Sequence, residues 1–300
     1  MTAETTWDTD ERDSGVTPWQ AARRRMARHT GLKLGAAIII GMAMVALLAP
    51  VLVPHDPYLQ NLPQRLIPPV WDAKGSWQYP LGTDHLGRDY LSRLLFGARV
   101  SLMIGLGAAL IGCAIGVTLG VCAGYFGGRL DQVVTYLLTC QLALPGLLLM
   151  MTLVFLIGPS LVVVIAVIGS LHWSYYLVVT RSVTQQLREL DFVTAARTLG
   201  CSRWQIISYE ILPNLLNQII VIFTLEVGVA IISEASLSFL GVGVPAPTPS
   251  WGLMIAEGRK SIFFRPWLVI VPGLALFLLV IAINLMGDGL RDVTAPENRN

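Results

Sequence analysis

The chain has 300 residues, of which 54% are hydrophobic and 13% are charged, and its formal net charge is +2. A soluble domain carries about 25% charged residues, so this composition excludes an ordinary soluble protein and indicates one surrounded mainly by lipid. The small net charge provides no electrostatic basis for binding nucleic acid.

The basic residues before the first apolar run set the expected orientation. Residues 1–33 predict a cytoplasmic tail, polar and typical of disorder over residues 1–18, and residues 34–53 predict the first span. The run before the span is basic, whereas residues 54–64 contain no lysine or arginine, which places the N terminus in the cytoplasm. The basic residues are Arg23, Arg24, Arg25, Arg28 and Lys33.

Residues 54–98 predict an extracytoplasmic segment. Prolines in "PHDP" and "LIPPVW" oppose regular structure in its first part. In its last part, "RDYLSRLLFGAR", leucines recur at helical spacing and two arginines lie apart from them, which predicts a short interfacial helix. The leucines are Leu91, Leu94 and Leu95, and the arginines are Arg88 and Arg93.

Five further runs are long enough to cross ~30 Å of hydrocarbon, which takes ~20 apolar residues, and one of them, residues 214–240, qualifies if Glu226 and Glu234 are tolerated. The sequence therefore predicts an all-α, polytopic membrane protein with six transmembrane helices and both termini in the cytoplasm. Residues 99–288 form its transmembrane core, and residues 289–300 form a C-terminal tail. The runs are residues 100–123, 132–158, 160–180, 214–240 and 266–287.

The second span carries a small residue at every fourth position, which gives a flat stripe about 18 Å long. Bare backbone gains nothing from lipid, so the stripe is expected to pack against another helix, either statically or as a surface that slides during transport. The glycine stripe consists of Gly112, Gly116, Gly120 and Gly124, preceded by Ala108.

Three polar residues within spans are candidates for a translocation pathway. Glu226 either lines a polar pathway or is a paired glutamate that ties helices together, because a charge at mid-membrane is costly. Glu234 has serines around it, which favours a structural role. His172 has no second His or Cys at ligand spacing, so packing or an interfacial position is favoured over a metal site. The four cysteines contain no C-x-x-C pair, so neither a disulfide framework nor a zinc site is expected.

Residues 191–213 predict two short amphipathic helices outside the spans. Phe192, Ala195, Ala196 and Leu199 share one face of the first, and Gly200 ends it. Ser202 and Gln205 form a capping box that starts the second. Trp204, Ile207 and Ile211 share a face of that helix, and Pro213 stops it or opens the next span. Lipid headgroups, the rest of the chain or a second protein could cover these faces.

This segment resembles the coupling loop of permease subunits of ABC importers. "TAARTLG" followed by "EILP" is similar to the family pattern Glu-Ala-Ala, three residues, Gly, then Ile-x-Leu-Pro, with Thr194 where Glu is usual and Glu210 where Ile is usual. The resemblance implies that an ATPase subunit contacts this loop. The residues assigned to coupling, by position or by pattern, are Phe192, Thr194, Ala195, Ala196, Leu199, Gly200, Trp204, Ile207, Leu212 and Pro213.

Three further stretches are similar to the peptide/nickel-type permeases, in particular the second permease of dipeptide and oligopeptide importers. They are "LGTDHLGRDYLSRLLFGARVSL", "LSFLGVGVPAPTPSWG" and "NLMGDGLRD". The resemblance implies a type I ABC importer permease fold in the bacterial inner membrane. It also implies a homologous permease, two ATPase subunits that carry ATP and Mg²⁺, and an external binding protein. Peptides are the expected cargo, with nickel, glutathione or another small solute as alternatives.

Two other classes of protein remain in competition. A self-contained secondary transporter would use Glu226 to carry protons and would need no nucleotide. An intramembrane hydrolase would use Ser170 or Ser174 with His172, but each serine projects ~160° from the histidine on a helix, which opposes a nucleophile–base contact. The chain contains no G-x-x-x-x-G-K-S/T phosphate loop, so ATP hydrolysis is expected on another chain.

Overall fold

The computed structural model describes Met26 and residues 29–294 of the chain. Within these residues the protein is all-helical, and the only β pairing is at two isolated bridges. The expected disorder of residues 1–18, the arginine cluster before the first span and the end of the expected C-terminal tail lie outside the described residues.

Ten helices, joined mostly by short connections, make up the described part of the chain. They are α1 (Thr30–Leu52), α2 (Tyr90–Phe126), α3 (Gly128–Leu142), α4 (Gly146–Ile157), α5 (Leu161–Leu171), α6 (Trp173–Arg188), α7 (Asp191–Thr198), α8 (Arg203–Phe239), α9 (Trp251–Gly258) and α10 (Trp267–Thr294).

The predicted spans have counterparts in these helices. Five helical stretches are long and apolar enough to cross a membrane, one of them the combined α5 and α6, and the number is six if the bent pair α3 and α4 forms one span. The predicted run 132–158 is not one straight helix, because α3 and α4 meet at 89°. Pro145 lacks an amide hydrogen and disfavours helical geometry at the residue before it, which accounts for the break.

The expected short interfacial helix is absent as a separate element. The leucines of "RDYLSRLLFGAR" lie in the first turns of α2, a continuous helix of 37 residues whose first turn is capped by Asp89. Arg88 and Arg93, which the predicted helix places apart from its leucines, are only 1% and 0% exposed. Burial of two arginines requires acidic partners, and both are paired.

An ion cluster of Asp84, Arg88, Arg93 and Glu257 fastens the segment before α2 to α9. The Arg88 guanidinium donates to Asp84 Oδ2 at 2.6 Å and to Glu257 Oε2 at 3.0 Å, and Arg93 donates to the same Glu257 oxygen at 3.0 Å. Two acids balance two bases, so the burial leaves no net charge. His85 adds a third ligand-type atom within 4.8 Å of the two carboxylates, but both arginines already neutralise them, which disfavours a metal cation.

Helix α2 is central to the fold and contacts α1, α5, α6 and α8. Its glycine stripe lies against the end of α5 and the whole of α6. A Cβ atom on Gly116 would lie 2.3 Å from the Trp173 carbonyl oxygen, and one on Gly120 would lie 2.1 Å from Thr180 Oγ1. The two helix backbones therefore approach to a distance that only glycine permits.

We expect Gly116→Ala to destabilise the protein, because the added methyl group collides with the α6 backbone. Overpacking of this kind costs roughly 1–3 kcal/mol. The matched control is Gly273→Ala in α10, where a Cβ meets nothing within 4 Å. Thermal unfolding of the purified, detergent-solubilised chain should show a lower midpoint for Gly116→Ala only. Equal midpoints for both variants would contradict the packing of α2 against α6.

Candidate functional site

Helix α7 begins the coupling element, which we define as residues 191–213. Val193 and Ala196 are the buried residues of α7, and they belong to one apolar cluster with Val121 and Tyr125 of α2. The predicted apolar face includes Ala196 but not Val193, whose side chain is fully buried. The coupling element is therefore packed onto the end of α2 rather than suspended from the chain.

The turn after α7 has the geometry that the sequence predicts. Gly200 has φ +84°, a left-handed conformation that glycine adopts without strain. The Gly200 amide donates to Arg197 O at 3.0 Å, and the Cys201 amide donates to Ala196 O at 3.1 Å. This pair of hydrogen bonds is a Schellman cap. Ser202 and Gln205 then form the predicted capping box.

The second predicted helix is not a separate unit. It is the first part of α8, which runs without interruption from Arg203 to Phe239. Of the two predicted roles for Pro213, opening the next span is confirmed, because it lies in the first turn of Leu212–Phe239, and the π-helical residues Ile206–Ile211 join that helix to the residues before it. A π-turn accommodates the carbonyl groups that lose a partner at proline. Motion applied to the coupling element therefore reaches the α8 span through continuous helix.

The residues assigned to coupling divide into a buried and an exposed set. Ile207 is buried, as expected, but Trp204 is 64% exposed and does not share its face; its ring contacts Phe126 at a centroid distance of 5.9 Å. Leu199, expected on the apolar face with Ala196, is 84% exposed. A helix of two turns has room for few inward positions, and Val193 and Ala196 occupy them. The exposed set is Phe192, Thr194, Ala195, Leu199, Gly200, Trp204 and Pro213, and Leu212 is half-buried.

Several arginines that are not among the residues assigned to coupling lie around the coupling element. Arg197 lies 5.5 Å from the Tyr125 ring centroid and Arg203 lies 6.0 Å from that of Phe126, beside an open cavity of about 450 Å³. Arg188, the last residue of α6, donates to the carbonyl oxygens of Gly124 and Tyr125 at 3.2 and 3.3 Å. The base of the coupling element is thereby tied to the C-terminal end of α2, where a cation is favourable.

A second polar region lies within the spans, in a cavity of about 260 Å³. Its lining comes from the break between α3 and α4, the break between α5 and α6, and the middle of α8. His172 Nδ1 lies 2.8 Å from Glu226 Oε2, and both side chains line the cavity. The structure thus combines the two alternatives for Glu226, because the carboxylate is paired and also faces a polar cavity. The residue that pairs with Glu226 is His172, which was predicted to be a packing or an interfacial histidine.

The serines considered for hydrolysis do not contact His172. Ser170 Oγ donates to Val167 O at 3.0 Å, and the serine within hydrogen-bond distance of the His172 ring among the described residues is Ser233, at 3.4 Å from Nε2. That distance exceeds the ~2.6–3.2 Å of a nucleophile–base hydrogen bond, and the Ser233 hydroxyl also reaches Val229 O at 2.9 Å.

Glu234 occupies a different, fully buried position between α8 and α9. Its Oε1 accepts hydrogen bonds from Ser238 Oγ at 2.7 Å and Ser250 Oγ at 2.8 Å. Ser233 and Ser236, which the sequence places nearby, donate to backbone carbonyls instead. Glu234 is 0% exposed and lines neither described cavity, which agrees with a structural role.

Comparison with known families identifies the chain. The family described as "Binding-protein-dependent transport system inner membrane component" matches residues 116–300, more than half of the chain. The family described as "N-terminal TM domain of oligopeptide transport permease C" matches residues 17–69. The two matches together cover both ends of the transmembrane part.

Curated relatives match almost the whole chain. The di/tripeptide transport system permease protein DppC of Pseudomonas aeruginosa is 40% identical over 94% of this chain and 92% of its own. The dipeptide transport system permease protein DppC of Haemophilus influenzae is 38% identical over 94% and 95%. The glutathione transport system permease protein GsiD of Pectobacterium atrosepticum is 37% identical over 95% and 94%.

The fold also has a solved counterpart. A chain of the MetNI methionine ABC transporter, solved in inward-facing conformations, aligns with a TM-score of 0.55 at 19% identity and covers 68% of this chain and 97% of that one. This likeness shows the type I ABC importer permease fold. The comparisons give the secondary-transporter alternative no support. The chain therefore belongs to the binding-protein-dependent inner-membrane permeases of bacterial ABC importers, non-enzymatic translocation subunits that work with an ATPase and a substrate-binding protein.

Proposed function

We propose that this chain forms half of the translocation pathway of an ATP-driven importer of di- or oligopeptides. The observation that carries the peptide assignment is the 40% identity to a di/tripeptide permease over 94% of the chain. A homologous permease supplies the other half of the pathway, two ATPase subunits hold ATP and Mg²⁺, and an external binding protein delivers the peptide. Both termini and the coupling element lie in the cytoplasm.

The exposed surface of the coupling element supports an ATPase as its partner. Leu199, Trp204 and Tyr209 are large apolar residues, each more than half exposed, and all three precede the apolar run 214–240. Arg197 and Arg203 line the cavity of about 450 Å³ beside Tyr125 and Phe126, so the exposed part of this region combines aromatic, aliphatic and guanidinium groups. This mixture is typical of the centre of a protein interface.

Movement of the ATPase subunits is passed on because the coupling element is rigid. Its inner face is buried against α2, its turn is capped on both sides, and its second half is continuous with α8. Shifting a two-state equilibrium from 1:99 to 99:1 takes about 5.5 kcal/mol of differential interaction. A flexible connection between the ATPase subunits and the spans would deform instead of transmitting that free energy.

Peptide uptake by the complete importer tests the function. Proteoliposomes are prepared with both permeases and both ATPase subunits, and the binding protein is added outside. Importers whose ATPase subunits lie in the vesicle lumen should accumulate labelled trialanine there only when the lumen contains ATP. Glutathione and Ni²⁺ serve as the competing cargoes. Accumulation of Ni²⁺ or glutathione without trialanine would contradict the peptide assignment.

Gly200→Val should uncouple the importer without unfolding the spans. Valine in a left-handed conformation costs roughly 1–2 kcal/mol, and a Cβ at Gly200 meets nothing within 4 Å, so the strain falls on the turn alone. Gly200→Asn is the matched control, because asparagine tolerates this conformation. We expect Gly200→Val to lose most peptide-stimulated ATPase activity and Gly200→Asn to retain it. Equal stimulation in both variants would contradict the role of the turn.

A further inference from the structure

The membrane cavity lies where two interrupted helices meet the centre of a third. Glu226 is at the middle of Leu212–Phe239, about 20 Å from either end at 1.5 Å per residue. The break between α3 and α4 and the break at His172 between α5 and α6 face it across the cavity. Interrupted helices near the bilayer midplane are a recurring setting for substrate sites in transporters.

Every polar side chain that remains free in the cavity lining can accept a hydrogen bond. Glu226 Oε2 is held by His172 Nδ1, but within the described residues no hydrogen bond reaches Glu226 Oε1. Gln141 donates through Nε2 to Leu171 O at 2.5 Å, and its Oε1 is buried without a partner among those residues. The hydroxyl groups of Ser174 and Tyr175 also line the cavity and can either donate or accept, so a donor-rich group is a ligand that all of these side chains can bind.

Glu226 determines the sign of the charge on a ligand that is complementary to the cavity. The helix ends in the lining have opposite polarity, because α3 and α5 end there while α4 and α6 begin there. Their partial charges oppose one another, which leaves the carboxylate and its histidine partner as the ionisable groups of the lining. A cation is the complementary ligand.

The open side of the cavity is expected to face the translocation pathway rather than lipid, because of the carboxylate in its lining. A carboxylate at this depth is costly in hydrocarbon and is found facing protein or water. The volume of about 260 Å³ is below the about 300–1,000 Å³ of pockets that enclose a drug-sized molecule. It accommodates one end of an extended solute and leaves the remainder in the pathway.

We propose that this cavity is a transient binding site for a protonated amine, which during transport is the α-ammonium group of the peptide. The inference rests on the proposed function and extends it to a chemical contact. The ammonium group donates to Glu226 Oε1, while His172 keeps Oε2 and fixes the orientation of the carboxylate. Because an ammonium has three N–H donors, Gln141 Oε1 is a second available acceptor at the same site.

The test compares Glu226→Gln with the wild type in the complete importer, using trialanine as the probe. The substitution keeps the shape and removes the charge, so the charge-assisted hydrogen bond is lost. We expect the peptide transported per ATP hydrolysed to fall about tenfold or more. The matched control is Asp288→Asn, an exposed carboxylate of α10, which should leave that ratio unchanged.

The outcomes separate this inference from the proposed function. If the wild type accumulates no trialanine, the proposed function fails. If the wild type accumulates trialanine and Glu226→Gln has the same ratio of peptide to ATP, the amine site alone fails. A parallel fall in ATPase activity and uptake would assign Glu226 a structural role and overturn the proposal.

A second measurement uses the wild-type protein and so does not depend on the folding of a variant. A membrane-permeant carbodiimide activates a carboxylate, and a nearby amine then attacks the activated carbon to form an amide. The carbodiimide leaves as a urea, which carries the elements of the water that is lost. During turnover with trialanine, we expect an amide between the peptide and Glu226, detected by mass spectrometry, and none with N-acetyl-trialanine. Absence of the adduct at Glu226 while other carboxylates react would overturn the proposal.

Discussion

The close contact between α2 and α6 is the constraint on which the rest of the structure depends. At Gly116, Gly120 and Gly124 an added Cβ would lie within 2.7 Å of an atom of α6. The contact runs from the cavity end of α6 to the coupling end, because Gly112 meets the His172 carbonyl and Gly124 meets the Arg181 carbonyl. A close-packed interface of this length resists small deformations, so the two helices are expected to move as one body.

Helix α6 links the two candidate functional regions. It begins beside His172 and ends at Arg188, about 24 Å away for 16 residues. At the coupling end, Arg188 holds the last carbonyls of α2; along its length, the Arg181 guanidinium pairs with Asp131 of α3, whose far end meets the cavity. A chain of direct contacts therefore connects the coupling element with the groups around Glu226, as the proposed coupling of ATP use to transport requires.

The sequence predicts the general architecture because hydrophobic length and small-residue spacing are local signals. The six apolar runs, the glycine stripe and the cap at Gly200 and Ser202 each depend on residues that lie close together in the chain. Helix ends were predicted less well. Pro145 breaks an apolar run of sufficient length, whereas Pro213 lies within continuous helix because a π-turn precedes it. Local patterns do not distinguish these two outcomes.

The candidate sites were predicted only in part, because their contacts join distant positions. Glu226 and His172 were recognised singly, but their pairing across 54 residues requires the folded packing of α6 and α8. The burial of Arg93 could not be predicted locally, because the carboxylate that neutralises it belongs to Glu257, 164 residues later in the chain. Trp204 was predicted to share a face with Ile207 and Ile211, but its side chain is exposed whereas theirs are buried, because the π-helical turn changes the spacing on which that prediction depends.

The most direct test of rigid coupling is a distance measurement in the complete importer with spin labels. One pair replaces Leu110 of α2 and Val178 of α6, which are exposed; a second label pair joins Thr198 of the coupling element to the sister permease. On ATP binding, the α2–α6 distance should stay constant while the distance from Thr198 to the sister permease changes. A change between α2 and α6 would show that the glycine stripe slides and would contradict the account.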